Sequence, residues 1–321
     1  MNRGVIPCLT CTTARPPVAN EPTQTQVKHP RYPWHVKAKE KQMTIAAGFV
    51  VRDGIVLCTD SLYSGGIKVQ GKKIFALALN GGAVAFALAG HEPFAKRAIE
   101  ECCSFLDENR GLQSSVAGIK GTIEAALKKF HEEFVFSRPK EERERVGFEL
   151  LVAAASLNEK PAIFSAYETV LIPVSGYRCF GMGCFVGQHV IETAYSPKMS
   201  LDDAVVLAIH ATAVAKEYVE GVGGPTQLLW IKDGVVSPFH PLNTAVFTET
   251  YIMSFEQRSA ELLFDAANPR LSADEFKQKA DNFVTHLGLI RKHWRQSFEN
   301  KDILEMLMYP GPADPPHPKS D

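Results

Sequence analysis

The 321-residue sequence has no apolar run of the roughly 18 residues that a membrane-spanning helix needs. Residues 1–10 also lack the apolar core of a secretion signal. Charge is balanced, with 35 Lys and Arg against 36 Asp and Glu. The chain therefore has no bulk positive charge with which to hold nucleic acid or anionic lipid. These absences predict a protein with neither a membrane nor a nucleic-acid partner.

Cysteine is too scarce for a disulfide scaffold, because only seven Cys are spread over the whole chain. Most lie within apolar runs, where a free thiol behaves as a small hydrophobic side chain. This pattern favours a reducing compartment, and we expect a cytoplasmic protein. One pair with metal-site spacing, Cys8 and Cys11, has no second Cys or His pair nearby. We expect neither a metal nor a cofactor.

Both ends of the chain lack hydrophobic periodicity. Residues 1–43 are rich in Pro, Thr, Gln and Lys, which indicates a disordered leader. Met43, at its end, is also a candidate start codon, in which case the upstream residues are a mis-annotated start. Residues 309–321 are rich in proline, and we expect a disordered tail.

The most informative stretch spans residues 44–90. Short apolar runs occupy 44–51, 55–59, 73–79 and 83–89, and Asp-Gly and Asn-Gly separate the members of each pair. These dipeptides between apolar runs predict two consecutive β-hairpins, since Gly tolerates a positive φ. Polar residues stand at three of the predicted strand ends: Thr44, Asp60 and Lys73. A hydroxyl, a carboxylate and an amine in such places suggest a reactive cluster.

Beyond Gly90 the apolar spacing changes from that of strands to that of helices and back again. A charged connection at 138–145 reads as a solvated loop, and Ser200 reads as the N-cap of a long helix. The predicted elements are helices at 91–106 and 116–134, strands at 147–157, 162–174 and 177–180, a helix at 201–219, a hairpin at 225–239, and helices at 255–267 and 272–293. Blocks of strands separated by blocks of helices predict antiparallel sheets with helices outside.

An ordered set of motifs resembles the proteasome β-type branch of the N-terminal nucleophile hydrolases. Thr44 stands on the first strand, and Asp60-Ser61 follows sixteen positions later. Lys73 stands in a Lys-Lys-Ile step that enters the third strand, and Ala89-Gly90 closes the fourth. The resemblance covers residues 44–239.

The resemblance implies an α+β fold, a four-layer αββα sandwich over residues 44–240. Residues 241–308 would form a helical extension that packs on the core or on a neighbouring subunit. The family assembles as rings, so a homo-oligomeric ring is implied, with a peptide or amide as substrate and an ATPase as a possible partner.

The resemblance also implies the catalytic residues Thr44, Asp60, Lys73 and Gly90. A threonine hydroxyl needs a base, and the α-amine of a freed Thr44 can serve. Lys73 would favour the alkoxide, Asp60 would hold Lys73, and the N–H of Gly90 would bind the oxyanion. The implied activity is a threonine-type hydrolase.

Two alternatives stay open from the sequence. The chain departs from the family pattern at Cys184 and Val222, where the family has serine. One alternative is therefore a non-catalytic ring or scaffold subunit that keeps the fold. The other is a small-molecule amidase of the wider superfamily.

Overall fold

The computed structural model describes residues 44–65, 67–157, 159–239 and 242–299. The sequence-based expectations for residues 1–43 and 309–321 lie outside these ranges. The strands are β1 (Ala46–Val51), β2 (Gly54–Thr59), β3 (Leu62–Gly65), β4 (Ile67–Gln70), β5 (Ile74–Leu79), β6 (Gly82–Gly90), β7 (Phe148–Ser156), β8 (Ala162–Tyr167), β9 (Val170–Pro173), β10 (Tyr177–Phe180), β11 (Gln227–Lys232) and β12 (Val235–Phe239). The α-helices are α1 (Glu92–Glu108), α2 (Val116–Phe130), α3 (Lys140–Arg145), α4 (Cys184–Ala194), α5 (Leu201–Tyr218), α6 (Leu242–Ala267) and α7 (Ala273–Glu299).

Ten of these strands form two five-stranded antiparallel sheets. The first sheet has the order β10-β1-β2-β11-β12, and the second has the order β5-β6-β7-β8-β9. Both predicted hairpins are confirmed, since β1 pairs with β2 and β5 pairs with β6. They belong to different sheets, however. The segment between them forms a small hairpin, β3 with β4, that the sequence analysis missed.

Three apolar clusters separate four layers. Ile55, Leu57, Ala85 and Leu151 belong to the cluster between the two sheets. On the outer face of the second sheet, α1 and α2 cover the strand residues Val84, Phe86, Leu150 and Val152. On the outer face of the first sheet, α4 and α5 do the same over Phe49 and Val56. The architecture is the predicted αββα sandwich.

Several element boundaries differ from those predicted. Residues 140–145 form the short helix α3 rather than a loop. The predicted strand at 162–174 is two strands, because a turn with Glu168 at φ +51° separates β8 from β9. Helix α4 was not predicted, and it has eleven residues, of which Gly187, Val190 and Ile191 are buried.

Helix α5 begins as the sequence predicts. The Ser200 hydroxyl accepts from the Asp203 N–H, and the Asp203 carboxylate accepts from the Ser200 N–H, which completes a capping box. Its buried stripe packs on the first sheet. The capping box therefore fixes the N-terminus of α5, and the buried stripe fixes its position on the first sheet.

The two C-terminal helices extend the sandwich. Helix α6 contacts α5 through Ile252, which is buried in the same cluster as the α5 stripe. An ion pair between Lys216 and Glu249 joins these helices, and so does a hydrogen bond between His210 Nε2 and Glu256. Helix α7 packs along α6, where the Phe283 ring lies 5.8 Å from the Phe255 ring. Within the described ranges, no helix combines the length and the apolar content required to cross a membrane.

Candidate active site

Thr44 lies immediately before β1 and is almost fully buried, with 3% of its surface exposed. Its carbonyl oxygen accepts a hydrogen bond from the Gly183 N–H at 2.9 Å. The N–H of the next residue, Ile45, donates to the Asp60 carboxylate at 3.1 Å. The start of the first strand is therefore held on two sides, and this fixes the position of the Thr44 side chain.

Asp60 follows β2 directly and is fully buried. Because β1 and β2 are antiparallel neighbours, the end of β2 lies beside the beginning of β1, and the Thr44 hydroxyl donates to Asp60 Oδ1. Asp60 Oδ2 accepts from the N–H groups of Leu62 at 3.2 Å and Gly223 at 3.1 Å. These N–H donors compensate part of the cost of burying the carboxylate.

Lys73 comes from the other sheet, one residue before β5, and its side chain is 2% exposed. Its Nζ donates to Thr44 Oγ1 at 2.5 Å, to Asp60 Oδ1 at 2.9 Å and to the Leu62 carbonyl at 2.7 Å. All three ammonium protons therefore have acceptors. The structure thus brings together Thr44, Asp60 and Lys73 from three strand ends.

The electrostatics of this cluster are set by burial and by one ion pair. Burial lowers the pKa of Lys73 below its ordinary value, and the neighbouring Asp60 carboxylate acts against that shift by favouring the ammonium. The face of the Tyr63 ring lies 4.8 Å from Lys73 Nζ and also favours the cation. Because the site is buried and its local dielectric constant is low, the ammonium strongly stabilises any negative charge that develops at Thr44 Oγ1.

Gly90 is the last residue of β6 and has φ of +103°. The Leu88 N–H donates to the Lys73 carbonyl at 3.0 Å, so this end of β6 runs beside the segment that carries Lys73. The hydrogen bonds of the cluster do not include Gly90. Its role as an oxyanion donor stays a prediction.

Sequence reasoning missed four groups that support the cluster. They are the Leu62 carbonyl, the Gly223 N–H, Gly181 and Gln227. Two act through the backbone, which carries no side-chain signal. The signal at Gly181 and Gly223 is the pair of glycine-rich runs at 181–183 and 221–224. Gln227 has no local signal, because its partners lie more than 150 residues earlier in the chain.

The backbone of Gly181 lies so close to Thr44 that a side chain at position 181 does not fit. Its φ is +82°, and an added Cβ would lie 2.3 Å from the Thr44 carbonyl oxygen. Gly181→Ala is therefore expected to destabilise the fold by more than about 1 kcal/mol, since the left-handed conformation alone costs about that much. Thermal unfolding measures the effect. Gly121→Ala on α2 is the control, because nothing lies within 4 Å there and the helix tolerates alanine. Equal stability of the two variants would contradict the close approach.

The comparison with protein families gives a direct result. The family model described as proteasome subunit matches residues 41–231, more than half of the chain. The chain belongs to the proteasome subunit family. This confirms the resemblance to the proteasome family that the sequence indicates. Membership brings with it the N-terminal nucleophile fold, whose four layers the structure shows.

Solved structures share this family fold at low sequence identity. Anbu, the ancestral β-subunit, from Yersinia bercovieri aligns with a TM-score of 0.57 at 12% identity, over 71% of this chain and 99% of that chain. A Gly-1 mutant of Anbu from Hyphomicrobium sp. strain MC1 gives 0.57 at 14% identity, over 68% and 96%. The Anbu complex from Pseudomonas aeruginosa, a helical assembly, gives 0.55 at 14% identity, over 72% and 99%. No curated protein matches the sequence significantly.

The two positions that depart from the family pattern differ in their surroundings. Val222 is buried with Ile45 and Ala215 under the Thr44 segment. Cys184 begins α4, and burial raises the pKa of its thiol to about 11, so it stays protonated near neutral pH. The hydrogen bonds of Thr44 Oγ1 to Asp60 and Lys73 involve neither of these side chains.

Proposed function

We propose that the protein is a threonine-type peptide hydrolase that uses Thr44 as its nucleophile. The observation that carries the proposal is the 2.5 Å hydrogen bond from Lys73 Nζ to Thr44 Oγ1, inside a buried cluster completed by Asp60. The cost of this arrangement favours a catalytic role over a purely structural one. Burying an ammonium and a carboxylate beside one hydroxyl costs several kcal/mol per ion before pairing, by order of magnitude.

The proposed chemistry begins with cleavage of the peptide bond between Met43 and Thr44, which frees the Thr44 α-amine. That amine has an unperturbed pKa of about 8, and the nearby Lys73 ammonium favours its neutral form. The neutral amine takes the proton of Thr44 Oγ1 as the oxygen attacks the substrate carbonyl carbon. Asp60 keeps Lys73 charged and aimed at Oγ1.

The attack converts the substrate carbonyl into a tetrahedral oxyanion, for which the Gly90 N–H is the proposed donor. The C–N bond of the substrate then breaks, and the leaving amine takes the proton held by the Thr44 α-amine. The resulting ester on Thr44 Oγ1 is hydrolysed by water, which returns the proton to the hydroxyl and releases a carboxylic acid.

The substrate class and the assembly are also part of the proposal. The Pseudomonas aeruginosa relative forms a helical assembly. We propose that this chain likewise forms a homo-oligomer, of the ring type that the sequence resemblance implies. Such an assembly encloses the site, so that only unfolded peptide chains reach it. We place the assembly in the cytoplasm, with an ATPase as the partner that delivers these chains. Helix α6 already packs on α5 of the same chain, and the contact proposed with a neighbouring subunit involves the remaining surface of α6 and α7.

One observation favours a second function. Val222 and Cys184 leave the Thr44 segment without the two serine hydroxyls of the family pattern. A subunit that has lost these hydroxyls can keep the fold and serve as a non-catalytic ring or scaffold component.

A labelling experiment separates the two functions. The native assembly is treated with an electrophile that reacts with N-terminal threonine, between about pH 6 and pH 9, around the expected titration of the amine. Intact-mass and peptide mass spectrometry are expected to find chains that begin at Thr44 and carry one label there. Internal threonines such as Thr59 and Thr226 are the control and stay unlabelled. If assembled chains keep residues 1–43 and carry no label on Thr44, the hydrolase proposal is refuted and the scaffold function is favoured.

A further inference from the structure

Gln227 joins the two sheets at the edge of the Thr44 cluster. Its backbone begins β11 and pairs with Thr59, the residue before Asp60. Its side chain crosses to the other sheet and contacts the segment that precedes β5. One residue thus connects the strand that precedes Asp60 with the segment that carries Lys73.

The amide of Gln227 holds that segment by three hydrogen bonds. Its Oε1 accepts from the N–H of Lys73 at 2.7 Å and from the N–H of Ile74 at 3.2 Å. Its Nε2 donates to the Gly71 carbonyl at 2.7 Å. Since two N–H donors converge on one atom and a carbonyl meets the other, the orientation of the amide follows from its partners.

Among side chains of similar length, only an amide makes this set of bonds. A glutamate carboxylate can accept from both N–H groups, but it has no proton to donate to the Gly71 carbonyl. A leucine makes none of the three bonds and leaves buried backbone groups unpaired. An asparagine is shorter by one methylene and cannot span the same gap from the β11 backbone.

The bonds act on Lys73 at its own backbone. They fix the peptide groups on both sides of its Cα, and this sets the direction in which its side chain leaves the strand. The Nζ at the other end makes its hydrogen bond of 2.5 Å to Thr44 Oγ1 and ones of 2.9 Å and 2.7 Å to Asp60 and the Leu62 carbonyl. A displacement of about 1 Å at such a group can cost about 100-fold in rate.

We propose that Gln227 is a positioning residue of the hydrolytic site, which sets the place of the Lys73 ammonium through the backbone of residues 71–74. This inference rests on the proposed function. It adds to that function a residue that does not touch the reacting atoms.

The matched control is Gln113, a second glutamine that uses its amide in the same way elsewhere. Its Oε1 accepts from the Asn80 N–H at 3.2 Å, and its Nε2 donates to the Leu106 carbonyl at 2.5 Å. Asn80 follows the far end of β5, six residues beyond Ile74. Gln113→Leu therefore removes a backbone clamp of the same kind without touching the segment that carries Lys73.

The test compares peptide hydrolysis by Gln227→Leu, Gln227→Glu and Gln113→Leu. Each is expressed as the whole chain, and the rate is taken per amount of folded, assembled protein that begins at Thr44. Gln227→Leu is expected to lower kcat by about 10- to 100-fold, with KM changed less than about threefold. Gln227→Glu, which keeps the two acceptor bonds, should lose less. Gln113→Leu should lower thermal stability but keep the wild-type kcat. Equal kcat values for Gln227→Leu and the wild-type protein would overturn the proposal, as would equal losses in Gln227→Leu and Gln113→Leu.

A crystal structure of Gln227→Leu separates this proposal from the proposed function. The expected result is a Lys73 Nζ that lies beyond hydrogen-bond reach of Thr44 Oγ1, more than about 3.5 Å away. An unmoved Nζ would overturn the positioning role. If the wild-type assembly shows no hydrolysis and no label on Thr44, the proposed function fails, and the position of Nζ in the variant still decides the role of Gln227.

Discussion

Thr44→Ala is expected to abolish peptide hydrolysis, with a loss of at least about 10⁴-fold in kcat, because no other described group replaces the attacking oxygen. Thr44→Ser is expected to keep a measurable part of the activity, since a hydroxyl and an α-amine remain. Serine lacks the methyl group Cγ2 of Thr44, which lies so close to Gly181 that a Cβ added there would come within 2.7 Å of it. Without this methyl group the serine side chain is held less firmly, and we therefore expect a partial loss of activity. Steady-state hydrolysis of a fluorogenic peptide by the assembled variants measures both changes.

Stability is the control for the Thr44 variants. Alanine removes one acceptor from Lys73 and one donor to Asp60, but Ile45, Leu62 and Gly223 still donate to the carboxylate. The expected cost is about 1–2 kcal/mol of unfolding free energy, so the variant should still fold and assemble. A folded Thr44→Ala assembly that hydrolyses peptide as fast as the wild-type protein would refute a threonine mechanism.

Lys73→Met is expected to lower kcat by about 10²- to 10³-fold, the range found when one group that stabilises a developing negative charge is removed. Methionine fills similar space but removes the charge that lies 2.5 Å from Thr44 Oγ1. The Thr44 amine then loses the neighbour that favours its neutral form, and the attacking oxygen loses its closest positive charge. Labelling of Thr44 by the electrophile should slow in parallel with peptide hydrolysis.

The same substitution leaves Asp60 buried without its cation. Three N–H donors remain on the carboxylate, so we expect a destabilisation of about 1–3 kcal/mol rather than loss of the fold. Lys120→Met is the matched control, because it breaks a half-exposed pair with Glu124 on α2, outside the site. Its expected cost is below about 1 kcal/mol, with no change in kcat. If Lys73→Met lost no more activity than Lys120→Met, Lys73 would have no catalytic role.

The strands and the helix caps follow from local rules. Asn80-Gly81 marks the β5–β6 turn because Gly81 adopts φ of +89° at no steric cost. Asp53-Gly54 marks the β1–β2 turn for another reason, since a Cβ added at Gly54 would lie 2.4 Å from the Ile231 carbonyl oxygen. Ser200 marks the start of α5 because its hydroxyl caps the N3 N–H. Local rules failed where side-chain pattern is weak. Helix α3 is six charged residues with no apolar stripe. The β3–β4 hairpin has strands of only four residues each, which are too short to give a clear pattern.

The sequence by itself determined the antiparallel sheets, their covering helices and the residue types Thr44, Asp60 and Lys73 at strand ends, because apolar spacing and turn residues are local properties. Only the tertiary structure decided that the two hairpins belong to different sheets, and that Lys73 therefore approaches Thr44 and Asp60 from across the sandwich. It alone also placed Gly223 on the Asp60 carboxylate and Gln227 on the Lys73 backbone. These contacts join residues more than 150 positions apart, and such pairing depends on how the sheets stack, which no local pattern encodes.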